Sequence, residues 1–509
     1  TLQKNIMFYE ELIPLQDFID KEKKDFAIDD IVKYAKEFDV NHLNFHYVAE
    51  DGRVKTLNFI IQNEDHLREI LSTGERVDGS SLFKYLESGS SDLYVIPKIK
   101  SAFLNPFEQE PTLGFFCKYF DKNGSPTPFS PENILINAEK SLEKETGIEM
   151  QGMGEVEYDV IWPKESLYRA TDQRGYHESM PFVKYEDLRL EALNCLKVMG
   201  ASIKYAHSEV GNFSDDKYCY EQNEIEFLPV ALDDAAIQLI TAKWVLRVLG
   251  YKYGVQVSFA PKITVGKAGS GMHIHMKLLK DGKNVVFNEN GEISEISKKA
   301  IAGIMELAPS LTAFGNCVPT SYLRLEPNQE APTKICWGER NRSALVRVPL
   351  GWSKNAVEMF KIANEGLEPS NVNVSQKPTF EFRVPDGSAD IYLLISALAV
   401  AVREGLNNPD ALQIADKFKI EGNIFREEYK DIADKLPNLP TSCVESSKKL
   451  QEQKAIYTKN DVFPSEVIDY QIKKLQAFDD ENLSQKIQTS AEPEKTKLIK
   501  DLVNKFINC

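Results

Sequence analysis

The chain has 509 residues, of which 42% are hydrophobic and 27% are charged, and its formal net charge is −16. This is an ordinary globular composition, long enough for two or more domains. The acidic balance argues against nucleic-acid and anionic-membrane binding, because both need a basic surface.

The cysteines and the apolar runs bear on the cellular compartment. The seven cysteines are widely spaced and form no Cys-x-x-Cys motif, which argues against a zinc site or a disulfide framework and favours a reducing compartment. No apolar run is long enough to cross a bilayer, and the acidic N-terminus does not resemble a secretory signal. We therefore expect a cytoplasmic protein that does not bind membranes.

The first quarter of the chain passes from helical to strand-like patterning. Residues 1–37 predict helix, with Asp29 or Asp30 as a cap. Residues 40–125 predict mainly strands, beginning with a hairpin. A turn-rich segment at 121–126 predicts a boundary, so we assign residues 1–125 to an N-terminal domain and 126–509 to a second domain.

The second domain alternates helices with strands. Apolar spacing predicts helices at 188–199 and 235–249, and a helical region from about 405 to 509. The predicted strands are 154–161, 201–209, 223–227, 271–278 and 379–384.

Each of these strands carries two ionisable residues two positions apart. The pairs are Glu155 and Glu157, His207 and Glu209, Glu224 and Glu226, His273 and His275, and Glu381 and Arg383. Residues i and i+2 of a strand point to the same face. A single pair is equally typical of a solvated strand face. Five pairs among apolar neighbours instead predict one sheet with a charged concave face and an apolar back.

Such a face favours bound cations, because crowded carboxylates repel one another and raise their pKa values. Carboxylates joined by a few histidines suit Mg²⁺ or Mn²⁺. There are more carboxylates than one ion needs, which predicts two or three ions per site. Several ions bridging phosphate oxygens are typical of phosphoryl transfer.

Glycines and arginines are further candidates for ligand contacts. Gly269 and Gly271 precede the His-x-His strand, where they allow a ligand close to the backbone or form an ordinary turn. The arginines concentrate late in the chain: Arg324, Arg340, Arg342, Arg347 and Arg383. Their counter-anions are either the surplus carboxylates or a bound phosphate and substrate carboxylate. Asp78 to Ser81 by itself is typical of a turn.

Taken in order, these segments resemble the class I, bacterial-type glutamine synthetases, as a divergent branch. The segments are Val77-Asp78-Gly79-Ser80-Ser81, Gly154-Glu155-Val156-Glu157-Tyr158, His207-Ser208-Glu209-Val210, Gln222-Asn223-Glu224-Ile225, Gly269-Ser270-Gly271-Met272-His273-Ile274-His275, Asn341-Arg342-Ser343-Ala344 and Glu381-Phe382-Arg383-Val384-Pro385-Asp386. Arg324 and Glu330 also stand at the expected places. The resemblance covers residues 40 to 470.

The resemblance implies an α+β fold and an activity. An N-terminal β-grasp domain would precede a catalytic domain with a curved antiparallel sheet and flanking helices. The family forms dodecamers of two hexameric rings, with active sites between neighbouring subunits. Its members use ATP to ligate ammonia to L-glutamate, giving L-glutamine through γ-glutamyl phosphate. The implied partners are therefore glutamate, ammonium, ATP and further copies of the chain.

The resemblance also implies a role for each matching residue. Two groups of metal ligands are expected: Glu157, Glu209 and Glu224 for one ion, and Glu155, His273 and Glu381 for the other. The expected glutamate contacts are Arg324, Arg383 and the backbone of Gly269. The expected contacts to phosphates and nucleotide are Arg342, Arg347, His207, His275, Tyr85 and Tyr176. The expected ammonium site is Asp78 with Ser81 and Glu330.

The sequence departs from the family pattern at several positions. Thr379 stands where an arginine near the ATP phosphates is expected, and Lys204 stands where an acidic nucleotide contact is usual. Ser208 interrupts the usual pair of histidines, and an insertion that includes residues 212–217 precedes Glu224.

Two other hypotheses stay open. One is a ligase of the same family that joins glutamate to an organic amine or polyamine; the other is a non-catalytic ring-forming relative. The presence of Asp78, Ser81 and Glu330 favours a small ammonium ion over a larger amine. The presence of all six expected metal ligands argues against the non-catalytic alternative.

Overall fold

Two sheets and the helices packed around them organise the chain, which confirms the predicted α+β class. The computed structural model describes residues 13–86, 91–325, 331–351, 355–370 and 376–509. Glu330 lies outside these described residues.

The smaller sheet belongs to the N-terminal part of the chain. Its strands are β1 His42–Val48, β2 Val54–Ile60, β3 Glu75–Asp78, β4 Asp92–Pro97, β5 Phe103–Leu104 and β6 Thr112–Phe120. Their order is β2-β1-β6-β4-β3, with β5 on β6, and β1 and β6 run parallel. Antiparallel pairing of β1 with β2 confirms the predicted hairpin. The accompanying helices are α1 Leu15–Ile19, α2 Ile28–Glu37 and α3 Glu64–Thr73.

The residue that precedes helix α2 is not the one that the sequence predicts as its cap. Ala27 is the residue that precedes helix α2, and its side chain cannot accept a hydrogen bond. Asp30 lies inside the first turn instead, and its carboxylate accepts a hydrogen bond from the Ala27 amide at 2.9 Å. Asp30 therefore caps the helix from within, because a carboxylate three residues on can reach back to the first free amide.

The larger sheet holds most of the remaining strands. They are β7 Glu149–Pro163, β8 Ile203–Ser208, β9 Phe213–Ser214, β10 Tyr218–Phe227, β11 Val230–Ala231, β12 Gln256–Ser258, β13 Met272–Lys280, β14 Lys283–Asn284, β15 Trp337–Glu339, β16 Val346–Val348 and β17 Phe380–Phe382. The order is β15-β16-β17-β13-β7-β10-β8, and short strands add to β7, β10 and β13.

Helices cover one face of this sheet and form the C-terminal region. They are α4 Pro131–Thr146, α5 Glu186–Val198, α6 Leu232–Tyr253, α7 Glu295–Gly315, α8 Pro319–Arg324, α9 Ala356–Ala363, α10 Ile391–Asn407, α11 Ala411–Phe418, α12 Lys430–Ala433, α13 Cys443–Thr458, α14 Ser465–Gln476, α15 Leu483–Thr489 and α16 Glu494–Phe506. Helices α11 to α16 confirm the helical region predicted beyond residue 405.

Strand β7 separates the apolar back of the sheet from its charged face. Gly154 and Val156 point to the back, where a Cβ added at Gly154 would lie 2.3 Å from a methyl of Leu239 in α6. Because Gly154 has no side chain, helix α6 lies directly against the strand. Glu155 and Glu157 alternate with these residues and therefore face the opposite side.

Helices α7 and α10 approach each other even more closely. A Cβ added at Gly303 would lie 2.0 Å from the carbonyl oxygen of Ala401, and one added at Gly405 would lie 2.2 Å from that of Lys299. The two backbones thus touch across a pair of glycines. This contact holds two core helices behind the sheet in one relative position.

Buried groups join the N-terminal part of the chain to the rest. The Lys98 ammonium lies 2.9 Å from an oxygen of Asp233, and both side chains are buried. The His46 ring lies between Phe103 and Trp244, each 5.4 Å away between centroids. The domain boundary at residue 125 stays a prediction.

Candidate active site

The five ionisable pairs lie on or directly after five neighbouring strands, in the order β17, β13, β7, β10 and β8. Arg383 and Glu209 each stand one residue beyond the end of their strand. The strand register aligns them: His273 lies opposite Glu155, which lies opposite Glu226. One step along, Glu157 lies opposite Glu224, which lies opposite His207. The predicted single charged face is thus confirmed. It lines a cavity of about 570 Å³.

One cluster on this face joins β7, β13 and β17, and we call it the Glu155 cluster: Glu155, His273, His275 and Glu381. The Glu155 carboxylate lies 2.7 Å from Nδ1 of His273 and 2.8 Å from Nε2 of His275. Glu381 lies 3.3 Å from the same Nδ1 of His273. Burial alone would raise the pKa of Glu155, but the two histidines hold it well below its ordinary value.

A second cluster joins β8 and β10, and we call it the Glu224 cluster: His207, Glu209 and Glu224. One donor atom from each residue lies within 4.8 Å of the others. Burial and the charges of neighbouring carboxylates raise the pKa of Glu224 well above its ordinary value. Four acids impose this charge: Glu155, Glu157, Glu209 and Glu226.

Both clusters fit a hard divalent cation. Their donors are carboxylate oxygens and imidazole nitrogens, the ligand types that suit Mg²⁺ and Mn²⁺. Burial and the neighbouring carboxylates together disfavour the charged form of Glu224. A bound cation would favour that charged form, so the residues present fit the expected metals.

The geometric groupings differ in detail from the expected ligand sets. His275 groups with Glu155 and Glu381 in the first cluster, while His207 groups with Glu209 and Glu224 in the second. Glu157 is instead held by the protein: the Gly271 amide donates to its carboxylate at 2.8 Å and the Gln222 amide donates at 3.1 Å. The expected ligands nevertheless all line the same cavity.

Arginines line the other part of the cavity. Arg324, Arg342, Arg347 and Arg383 all contribute to its wall. Arg383 donates to Glu381 at 3.0 Å and also to the Arg342 carbonyl. Arg347 donates to the second oxygen of Glu381 at 3.2 Å, while its Nε is buried without a hydrogen-bond partner in the described part of the chain.

Glycines make room for Arg324. A Cβ added at Gly271 would lie 2.5 Å from a terminal nitrogen of Arg324, and one added at Gly269 would lie 2.9 Å from its Cγ. The guanidinium donates to the Val384 carbonyl at 2.7 Å and to the Arg383 carbonyl at 3.3 Å. Among the described residues, no carboxylate forms an ion pair with this guanidinium, so its positive charge suits an anionic ligand.

Aromatic rings border the cavity beside β8. Tyr176 is half exposed and stacks on His177 at 4.1 Å between centroids. Its ring also lies 5.4 Å from His207, edge to face. The long loop between β7 and α5 brings Tyr176 to this position. Sequence spacing alone gives no signal for His177, which completes the ring cluster.

Three expected site residues lie outside the described lining of this cavity. Asp78 and Ser81 are exposed at the end of β3 in the smaller sheet, and Tyr85 follows them. The Tyr85 hydroxyl donates to the Phe129 carbonyl at 3.2 Å, and its ring packs 5.3 Å from Tyr470. One copy of the chain therefore does not bring these residues to the charged face.

The Asp78 carboxylate is surrounded by hydroxyl donors. Ser81, Ser80 and Ser91 donate to it at 2.6, 2.8 and 2.8 Å, and the Ser80 amide donates at 3.0 Å. These hydrogen bonds lower the pKa of Asp78 well below its ordinary value. Asp78 is therefore a fixed, exposed anion.

The departures from the family pattern have specific contacts. The Thr379 hydroxyl lies 2.9 Å from Nδ1 of His275, so it orients the ring that contacts Glu155. The Lys204 ammonium lies 2.5 Å from Oε1 of Glu226. Ser208 is buried at the end of β8.

Gln222 is a site residue that sequence reasoning did not assign. Its amide donates to Glu157, to the Gly269 carbonyl at 3.0 Å and to the Ser270 hydroxyl at 3.0 Å. It thereby ties the glycine segment to the charged face. The sequence signal for Gln222 is its position two residues before Glu224 on a buried strand, which puts both side chains on the same face.

Comparisons with known proteins identify the matching family. The catalytic domain of glutamine synthetase matches residues 128–489, and the β-grasp domain of glutamine synthetase matches residues 39–122. The second match confirms the predicted β-grasp fold of the N-terminal part. No described helix is long and apolar enough to span a membrane.

Individual relatives carry more than one name. A glutamine synthetase from Clostridium saccharobutylicum is 28% identical over 424 residues, covering 81% of this chain and 87% of its own. A 3-hydroxylaminophenol mutase from Cupriavidus pinatubonensis is 28% identical over 482 residues, covering 88% and 94%.

Solved structures share the fold at lower identity. A glutamine synthetase from Plasmodium falciparum superposes with a TM-score of 0.73 at 19% identity, covering 92% of this chain and 99% of its own. A complex of GmaS with ADP superposes with a TM-score of 0.71 at 16% identity, covering 92% and 98%.

Proposed function

The chain belongs to the glutamine synthetase family, and from that premise we propose that it ligates ammonia to L-glutamate, using ATP and forming γ-glutamyl phosphate. One observation carries the proposal: a single cavity joins a buried carboxylate face to a wall of four arginines. The carboxylate face suits the cations that accompany a nucleotide triphosphate, and the arginines suit the anionic groups of glutamate and phosphate.

Metal ions would supply neutralisation of phosphate charge at this face. Glu155, His273 and Glu381 would hold one ion and Glu157, Glu209 and Glu224 another, with His275 and His207 beside them. Two or three Mg²⁺ or Mn²⁺ ions suit this number of carboxylates.

The protein's own residues bind and orient the reactants. Arg324 and Arg383 bind the carboxylates of glutamate, and the Gly269 carbonyl accepts from its amino group. Arg342 and Arg347 stabilise negative charge on the transferred phosphoryl group. Transfer of this group converts the γ-carboxylate of glutamate, a poor electrophile, into a reactive acyl phosphate. His207, His275 and Tyr176 border the nucleotide, and Tyr85 is assigned to it by resemblance.

Asp78 is the proposed ammonium site, with Ser81 and Glu330. Its lowered pKa keeps the carboxylate negative, so it attracts NH₄⁺. The resemblance also implies that Asp78 takes a proton from the bound ammonium, which leaves the ammonia that attacks the acyl phosphate. The resemblance implies that Asp78 completes the cavity of a neighbouring subunit. We therefore propose a ring-forming homo-oligomer, a dodecamer of two hexameric rings, in the cytoplasm.

The family also contains other reactions, as the relative named 3-hydroxylaminophenol mutase indicates. A ligase for an organic amine is the second candidate. The small polar Asp78 and Ser81 favour ammonium over an alkylamine, because a larger substrate would need apolar surface there.

Phosphate release from ATP tests the proposal. With Mg²⁺ and glutamate present, we expect ammonium to stimulate release strongly in wild type and not in Asp78→Asn, which keeps the shape and removes the charge. Asp92→Asn, on the neighbouring strand, serves as the matched control. Stimulation by methylamine but not ammonium would instead support the amine ligase, and no stimulation by either would refute both.

A further inference from the structure

A third group of carboxylates lies on the charged face, between the Glu155 cluster and the Glu224 cluster. It consists of Glu155, Glu224 and Glu226, with one oxygen of each within 4.8 Å of the others. Glu226 is only 2% exposed and lies opposite Glu155 across β7 and β10. Three carboxylates at this spacing would suit a divalent cation.

A lysine already contacts this group. The Lys204 ammonium lies 2.5 Å from Oε1 of Glu226 and 4.8 Å from the centroid of the Tyr205 ring. Lys204 and Glu226 line the same cavity. The buried carboxylate thus has a cation from the protein itself, held between a carboxylate and an aromatic face.

A β-bulge directs Lys204 to this side of the sheet. Tyr205 pairs with Glu226 and Ile203 pairs with Phe227, so Lys204 is an extra residue between two paired positions. Regular alternation from His207 and Tyr205 would send Lys204 to the apolar back. The bulge breaks that alternation and re-aims the side chain, as bulges beside functional sites do.

We propose that the Lys204 ammonium takes the place of a third divalent cation, so that the site binds two metal ions and carries the third positive charge in the protein. A cation coordinated by Glu226 would lie within about 5 Å of the ammonium, where the two charges repel. This inference rests on the metal-dependent function proposed above. It assigns a role to the lysine that departs from the family pattern.

Counting bound Mn²⁺ tests the inference without measuring activity. The signal of free Mn²⁺ in electron paramagnetic resonance, followed during titration of the full nucleotide-free chain, gives the number of ions bound. We expect about two per chain in wild type and about three in Lys204→Ala. The double variant Lys204→Ala with Glu226→Ala should return to about two, because the third group then lacks its central carboxylate.

Two further variants guard against other causes. Lys204→Gln keeps a hydrogen-bond donor for Glu226 but lacks the charge, so it should behave as Lys204→Ala does. Lys217→Ala removes an exposed lysine away from the cavity and should leave the count unchanged. Thermal melting of each variant in chelator verifies folding before titration.

Several results would overturn the inference. Three ions in wild type, or two in both Lys204→Ala and Lys204→Gln, would show that the ammonium does not displace a cation. A loss of ADP affinity by more than about tenfold in Lys204→Ala, with an unchanged ion count, would make Lys204 a phosphate contact instead. A wild type that binds two ions without ammonium-dependent phosphate release would refute the ligase proposal and leave this inference standing.

Discussion

His46 lies where the smaller sheet packs against helix α6, with its ring among Phe103, Phe116 and Trp244. Burial lowers its pKa from 6.5 to about 4. The folded state therefore binds this proton less readily than the unfolded state does. Its contribution to stability is fully present above pH 6.5 and is lost as the pH falls towards 4.

We expect the free energy of unfolding to fall by roughly 3 kcal/mol between pH 6.5 and 4 on account of His46. His46→Phe keeps an aromatic ring in the site and removes the titration. Urea unfolding across this pH range should then show a shallower decline in the variant. His66→Phe, at a partly exposed position of helix α3, is the control. Parallel declines in wild type and His46→Phe would contradict the prediction.

Glu224 lowers the stability of the metal-free protein, because its buried carboxylate is crowded by other acids. We expect Glu224→Gln to raise the melting temperature in chelator, by relieving repulsion worth about 1 kcal/mol. The same variant should lose about 100-fold or more in Mn²⁺ affinity, since it removes a ligand. Glu289→Gln, at an exposed position, should change neither quantity. A variant that melts lower in chelator and binds Mn²⁺ normally would sink the prediction.

Among the elements, the contact of α7 with α10 leaves no room for added volume. The cost of Gly303→Ala should reach about 3 kcal/mol or more, because the new Cβ meets main-chain atoms that cannot rotate away. Urea unfolding measures this cost. Glu306→Ala, exposed on the same helix, should cost under about 1 kcal/mol. If Gly303→Ala lowers the free energy of unfolding no more than the control does, the two helices can move apart to accommodate a methyl group, and the prediction is wrong.

The strands show which features of the fold and the site could be predicted from the sequence. The alternation of Glu155 and Glu157 with Gly154 and Val156 predicted a charged face, because strand geometry has a fixed period of two. The order of the strands could not be predicted from that period. The position of Tyr176 and His177 beside the cavity could not be predicted from it either, since a long loop without periodicity carries them there.

Local rules also failed where tertiary contacts decide the conformation. The bulge at Lys204 is invisible in the sequence, because pairing with Glu226 and Phe227 creates it. The cap of α2 was misplaced for a similar reason: an aspartate next to a helix start can cap from either side. Resemblance to the family supplied the roles that these patterns could not.

For the whole molecule, the position of Asp78 is the main constraint. It is exposed on the smaller sheet and does not line the charged cavity of its own chain. Asp78→Ala and Glu155→Gln should therefore each be inactive alone, but they should complement each other when mixed during assembly. Random mixing would restore up to about a quarter of wild-type activity, at interfaces that join one intact loop to one intact cavity.

Phosphate release after co-refolding or co-expression measures this complementation. Asp78→Ala mixed with itself is the control for reassembly. A mixture as inactive as its components would place Asp78 and the charged face in the same chain's site, against the proposed assembly.

The insertion before Glu224 has a consequence for laboratory evolution of this protein. Residues 213 and 214 form β9, which pairs with Cys219 and Tyr220 of β10, while the Glu209 amide still bonds to the Gln222 carbonyl at 2.8 Å. The added residues extend outward from the end of a strand whose register is fixed nearer the charged face. Variants with a different loop length at this tip, residues 214–217, should therefore change the protein's surface and its solubility without changing its catalytic activity.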